Sequence, residues 1–232
     1  MRIVSWNCHY GLKIEKYLEV LSHSPQILII QECTKNDFDY IKNMWEFKNW
    51  YNDDQKNNKS EIGVAIFSNG YKIGFTEIFN RNFRYVIPYE ISKDNVNKFT
   101  LFSVWINPII DGSYHKHFYD AVKYYREQKM LDDHSIIIGD FNTFAKEGNG
   151  CLEALEGELS PLSNCAKDKR FTRTYYAAKY GYGTDDFCFA SKDIADKIEV
   201  TIPDDKFDDK QNKSNPWRDL SDHCPIIVDL AL

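Results

Sequence analysis

Apolar runs and amphipathic stretches alternate along the N-terminal part of the chain. Residues 2–6 and Ile27-Leu28-Ile29-Ile30-Gln31 are short, largely apolar runs of buried-strand length. Between them, Glu15 to Leu21 has helical spacing, with Tyr17, Leu18 and Leu21 on one side. Asn36 to Trp45 predicts a second helix, because Phe38, Ile41 and Trp45 recur at three and four residues. The pattern changes from Phe47 to Ser103. Ile62–Phe67, Tyr71–Phe79, Arg84–Ile91 and Phe99–Trp105 are rich in β-branched and aromatic residues and are broken by Asn, Gly and Asp. That predicts consecutive, largely antiparallel strands.

A long helix is expected from His115 to Met130, with Phe118, Val122 and Tyr125 inward. Ile136-Ile137-Ile138 reads as a central strand, Gly150 to Gly157 as a short helix, and Phe187–Ala190, Ile198–Ile202 and Ile226–Leu230 as the last strands. Asp204 to Asp209 is a polar loop by composition. The order βα, β meander, α, then β favours two packed sheets with helices outside, in one domain over residues 1–232.

Composition narrows the function classes. The chain has 29 Lys+Arg against 35 Asp+Glu, a formal net charge of −6. That sign argues against a basic clamp that grips nucleic acid by charge, but leaves room for an enzyme that meets phosphates through a bound metal. The N-terminus runs straight into a strand with no signal-peptide pattern, and no apolar run has the length of a membrane span. None of the six cysteines forms a C-x-x-C pair, so reduced thiols and a cytoplasmic location are the expectation.

Five polar positions stand at the ends of apolar strands, where layered α/β folds place their sites. They are Trp6-Asn7, Gln31-Glu32, Gly139-Asp140-Phe141-Asn142, Asp185-Asp186-Phe187 and Ser221-Asp222-His223-Cys224-Pro225-Ile226. A carboxylate beside an apolar strand is costly to bury unless it is paired, neutralised or metal-bound, although a strand-end Glu such as Glu32 is commonly just solvated. Asp140 and Asn142 are two apart, so extended chain puts them on one side, and Gly139 permits close backbone approach. Asp185 and Asp186 point to opposite faces, so one of the two turns inward. Asp-His before a strand is a common way to orient an imidazole or a metal ligand.

As an ordered set these motifs resemble the endonuclease/exonuclease/phosphatase superfamily of metal-dependent phosphoesterases, over essentially the whole chain. The resemblance implies an α/β fold (α+β in some schemes), a four-layer α-β-β-α sandwich of two mixed, largely antiparallel sheets. It implies Glu32 as main metal ligand, with Asn7 and Asp222 near the metal or its waters, and Mg²⁺ or Mn²⁺ as the hard cation that oxygen ligands select. It also implies that Asp140 orients or deprotonates the attacking water and that Asn142 holds that water or a phosphate oxygen. His223 would stabilise charge on the phosphate, with Asp186 fixing its orientation. Spacing within the family favours Asp186 over Asp185 for that role.

The sequence departs from the family pattern in places. Trp105 stands on the strand before the central helix, where relatives carry His or Tyr, and an indole donates one hydrogen bond and accepts none. Asn107, His9 or Arg84 are the candidates to supply the missing phosphate contact. His9 occupies a position that is acidic in some relatives. The reading that follows is a Mg²⁺- or Mn²⁺-dependent phosphodiesterase acting on DNA or RNA. A phosphatase or phosphodiesterase on a small or lipid-linked phosphate is the alternative, and a non-catalytic binding domain is the third reading. No protein partner can be inferred. Cys8, Cys33, Cys188 and Cys224 read as small buried hydrophobes behind the site. Lys167 to Arg173 reads as a charged loop, with phosphate-backbone contact as the sharper alternative.

Overall fold

The computed structural model describes residues 1–52, 62–84, 86–106, 116–177, 181–203 and 220–231. The expected contact Asn107 and the polar loop at 204–209 lie outside them. The chain opens with β1 (Arg2–Asn7), α1 (Ile14–Ser22), β2 (Ile27–Thr34) and α2 (Lys35–Ile41). β3 (Phe47–Tyr51) and β4 (Ile62–Ser68) follow, then β5 (Lys72–Phe75), β6 (Val86–Lys93) and β7 (Val96–Trp105). After α3 (Lys116–Glu127) come β8 (Ser135–Ala145), α4 (Cys151–Leu159), β9 (Ser163–Asn164), β10 (Tyr175–Ala177) and β11 (Gly181–Ala190). α5 (Lys192–Ala195), β12 (Ile198–Thr201) and β13 (Ile226–Leu230) complete it.

The strands form two open sheets. One is six-stranded in the order β12-β13-β1-β2-β4-β3. The other is seven-stranded in the order β10-β11-β8-β7-β6-β5, with β9 paired to β11. Both are mixed: β1 with β2 and β7 with β8 are parallel, and the remaining pairs are antiparallel.

The apolar runs explain the layering. Ile3, Ile27 and Ile29 of the first sheet meet Ile87, Leu101, Ile136 and Ile138 of the second in the core between the sheets. Their strand neighbours Val4, Leu28 and Ile30 face the other way, onto Tyr17 and Val20 of α1 and Phe38 and Ile41 of α2. On the far side, Phe102, Ile137 and Phe189 pack against Phe118, Val122 and Tyr125 of α3 and Leu152 and Leu155 of α4. A strand covered on both faces needs apolar residues at successive positions, which is what Ile27–Ile30 and Ile136–Ile138 supply. The result is the α-β-β-α sandwich.

Some expectations need correction. Leu18 does not face the core; it is 60% exposed, and Lys16, Tyr17 and Val20 are the buried positions of α1. The second helix ends at Ile41 and continues as a 3-10 turn over Lys42–Met44, while Trp45 still reaches the core and donates to the Tyr17 hydroxyl at 2.9 Å. The strand expected over Tyr71–Phe79 is only β5, because the chain turns after Phe75 to stack Phe79 on it, centroids 5.1 Å apart. β3, β9 and β10 have no clean apolar alternation and are not predicted by the sequence pattern. Among the described residues no helix is long and apolar enough to cross a membrane.

Candidate active site

Strand alternation carries the inner face of the sandwich into a polar cluster. On β8, Ile136 and Ile138 line the inter-sheet core and Asp140 is next on that face, fully buried. On β11, Ala190 and Cys188 lead in the same way to Asp186, which pairs with Asp140 across the strands. On β1, the sequence Ile3, Ser5, Asn7 brings a buried amide from the other sheet. Gly139 makes the approach possible. With φ at +142°, a Cβ there would lie 2.1 Å from the Val104 carbonyl oxygen on β7.

Glu32 arrives by a different route. Simple alternation puts it with Leu28 and Ile30, facing the helices. The pairing of β2 with β4 shifts register between Ile30 and Cys33, and Glu32 has φ +58°. This bulge turns the carboxylate back toward the site. Asn7 Nδ2 then donates to Glu32 Oε1 at 3.1 Å and to Asp140 Oδ2 at 2.9 Å, so one amide links acids from the two sheets. Glu32 Oε2 accepts the Tyr10 backbone N–H at 3.0 Å.

The choice between the adjacent acids on β11 is resolved by geometry. Asp186 Oδ2 is 2.8 Å from His223 Nδ1, and both are buried. Asp185 points away and accepts the backbone N–H of Phe144. Thr174 Oγ1 receives both acids' backbone N–H groups, at 2.9 and 3.0 Å. His223 is fixed from several directions. Trp6 Nε1 donates to its carbonyl at 2.9 Å, and Ser221 Oγ accepts its N–H at 3.1 Å while donating to the Asn7 carbonyl at 2.8 Å. The Tyr175 ring packs against the imidazole at a tilt of 41°, with centroids 4.6 Å apart. His223 Nε2 faces Asp140 Oδ2 at 4.0 Å, too long for a hydrogen bond.

The buried charges shift one another. Burial raises Asp140 well above the ordinary carboxylate range, with Asp186 and Asp185 adding to it, although the His223 charge and the Asn7 hydrogen bond act the other way. Burial works against a charged His223, but the Asp186 and Asp140 carboxylates outweigh it and raise the imidazole well above its ordinary value. At the rim, burial would raise Asp222, and the hydrogen bond from His9 with the charge of His223 reverses that, leaving its carboxyl below the ordinary range. His9 Nδ1 and Asp222 Oδ1 are 3.1 Å apart.

The remaining expected residues divide. Asn142, with φ +50°, spends its amide hydrogens on the Ile106 carbonyl at 2.6 Å and Asp140 Oδ2 at 2.9 Å. Both amide hydrogens are thus engaged within the protein, and Oδ1 is the side-chain atom left to accept, as from a water. Trp105 pairs in register with Asp140 and packs against the inter-sheet core. Arg84 caps the 3-10 turn Arg81–Phe83 just before β6. Cys8, Cys33, Cys188 and Cys224 are all buried, and burial pushes the Cys8 and Cys33 thiols upward. Arg170, in the charged segment, pairs with Glu153 and Glu156. Sequence reasoning missed Thr174 and gave no separate role to Ser221 or to Tyr175 beside His223. Ser221 carried a signal as the start of the Ser-Asp-His motif and Tyr175 as an aromatic following a basic run; Thr174 carried none.

The atoms of Asp140, Asp186 and His223 lie within 4.8 Å of one another, which is also a spacing that a metal ion could use. The Nδ1 of His223 is already committed to Asp186, however. Glu32 and Asp222 are only partly buried, and together with the Asn7 amide they offer oxygen donors at the mouth of the site. That donor set fits a hard divalent cation, and the raised thiols nearby offer no thiolate for a soft one.

Residues 4–223 match the model of the Endonuclease/Exonuclease/phosphatase family. No curated protein sequence matches the chain. Solved structures do. The 3' phosphatase NExo from Neisseria, bound to product DNA hairpin, is similar over 100% of both chains, at 16% identity and a TM-score of 0.69. An AP endonuclease from Archaeoglobus fulgidus is similar over 100% of both chains, at 15% identity and a TM-score of 0.65. D. rerio TDP2 complexed with single strand DNA product is similar over 100% of this chain and 99% of that one, at 13% identity and a TM-score of 0.63. At such identities the likeness is one of fold.

Proposed function

The chain belongs to the endonuclease/exonuclease/phosphatase family, and from that premise we propose that it hydrolyses phosphodiester bonds in nucleic acid with the help of Mg²⁺ or Mn²⁺. The observation that carries the reading is the pair of hydrogen bonds that the Asn7 amide donates to Glu32 and Asp140, beside the Asp186–His223 pair. It gathers a cation-binding edge and a proton-handling core in one place. The choice of nucleic acid draws support from the similar structures that hold a product DNA hairpin and a single strand DNA product.

Glu32, Asp222 and the Asn7 amide would hold the cation. When bound, it would offset charge on a phosphate oxygen as a Lewis acid. The chain's own residues do the rest. Asp140 is held by Asn7 and by the backbone and side chain of Asn142, at 2.8 to 2.9 Å. Its raised proton affinity suits it to take the proton of an attacking water. His223, oriented through Nδ1 and favoured in its charged form by Asp186, presents Nε2 toward Asp140, where it would donate to a phosphate oxygen as charge develops. Asp186 keeps the imidazole charged and in that orientation. Asn142 Oδ1 would accept from the water and hold it in line.

A substrate screen tests the reading: single- and double-stranded DNA, RNA, p-nitrophenyl phosphate and its bis ester, each with Mg²⁺ and Mn²⁺. Turnover of nucleic acid and the bis ester is expected. Turnover of the monoester alone would move the assignment to a phosphatase. No turnover, with no cation binding by calorimetry, would leave a non-catalytic binding domain.

A further inference from the structure

The loop after β1 is costly to build. His9 and Tyr10 are successive non-glycine residues in the left-handed region, at φ 47° and 54°, and Gly11 follows at φ 113°. Each such conformation is disfavoured for a residue with a side chain, and strain of this kind persists only where the surroundings hold it. Here they do. His9 N–H donates to Asn7 Oδ1, Tyr10 N–H to Glu32 Oε2 and Gly11 N–H to the Glu32 carbonyl, each at 3.0 Å. The buried ammonium of Lys16 donates from below to the Cys8 and His9 carbonyls.

The loop leads from buried Cys8 to buried Leu12, but its tip does not join the core. The Tyr10 side chain is 60% exposed, and the ring of His9 meets it edge-on with centroids 5.1 Å apart. What the strained loop achieves is to stand an aromatic ring at the mouth of the site, fixed to Glu32 by its own backbone. His9 is tied on to Asp222, and the next residue, His223, meets the Tyr175 ring at a tilt of 41°. Both residues of the Asp222–His223 pair therefore have a ring beside them.

Net charge says what such a ring is for. A chain at −6 offers phosphates little attraction beyond the site itself, so contacts that do not depend on charge would add what neutralisation does not supply. Stacking of an unpaired base on an aromatic ring is such a contact, and every base has a π-face to offer. We propose that Tyr10 stacks on an unpaired nucleobase next to the scissile phosphate, so that the site favours single-stranded or frayed nucleic acid over intact duplex. This rests on the nucleic-acid reading above.

The test is fluorescence anisotropy with a fluorescein-labelled oligothymidylate and an abasic strand of the same length, in EDTA at low ionic strength. Tyr10→Ala removes an exposed side chain, and circular dichroism checks its fold. It should weaken oligothymidylate binding about tenfold and leave the abasic strand unchanged, while Tyr10→Phe binds as wild type. Unchanged oligothymidylate binding by Tyr10→Ala, or an equal loss on both strands, overturns the stacking role while wild-type hydrolysis of nucleic acid still stands. A wild type that hydrolyses only phosphomonoesters and binds neither strand overturns the nucleic-acid reading and this inference with it.

Discussion

Asp186 holds the imidazole of His223 by a 2.8 Å bond from its Oδ2 to Nδ1, leaving Nε2 as the ring atom that faces Asp140. Asp186 thus orients the ring through Nδ1 and is the first of the carboxylates that favour its charge. Asp186→Asn keeps the shape and removes the charge. Turnover should fall by about 10²- to 10⁴-fold, with His223→Ala comparable. Because the two act as a unit, the double variant should be little worse than either single one. Additive losses in kcat would disprove the coupling.

Glu32→Gln retains an oxygen for the Tyr10 N–H and removes the negative charge at the mouth of the site. Affinity for Mg²⁺ or Mn²⁺ should drop by about 10- to 100-fold or more in isothermal titration. An unchanged affinity would remove Glu32 from the set of cation ligands.

Gly139→Ala tests the close approach of β7 and β8. The added Cβ would meet the Val104 carbonyl oxygen at 2.1 Å with φ at +142°, and both partners are backbone in a central strand pair. Neither can yield cheaply. A loss of about 3 kcal/mol or more is expected in denaturant unfolding. A variant as stable as wild type would show that the sheet spacing can relax there.

Asp185 offers a pH signature. Burial raises its carboxyl to about 7, with Asp186 adding and His223 opposing, whereas an unfolded Asp titrates near 3.9. Between those values the folded state keeps a proton that the unfolded state has lost. The group's contribution is therefore most favourable below the unfolded value and declines as pH rises toward about 7. Asp185→Asn keeps an acceptor for the Phe144 N–H and cannot ionise. Its Tm should gain on wild type as pH rises through that window and level off above it. A difference independent of pH would refute the assignment.

Much of the fold is legible in the chain because burial on both faces demands continuous apolar runs. Ile27–Ile30 and Ile136–Ile138 announce central strands, and Phe38, Ile41 and Trp45 announce the helix that covers one of them. The acids just beyond those runs inherit a face from strand alternation. Alternation alone therefore assigns Asp140, and one member of the pair Asp185 and Asp186, to the inner side. β9 and β10 escape notice because strands of two and three residues leave too little pattern to read.

Sequence by itself determined which residue types meet at the strand ends, and that they are acids, amides and one imidazole in an order shared with a family. Tertiary structure alone decided which way they point. Glu32 reaches Asn7 only through a left-handed bulge that reverses its alternation. Asp186 rather than Asp185 takes His223, because Thr174 pins both backbones while Phe144 claims the other acid. Asn142 spends its amide hydrogens inside the protein. Each outcome rests on a backbone twist or a hydrogen-bond partner distant in the chain, and a linear pattern of polar and apolar residues carries no record of either.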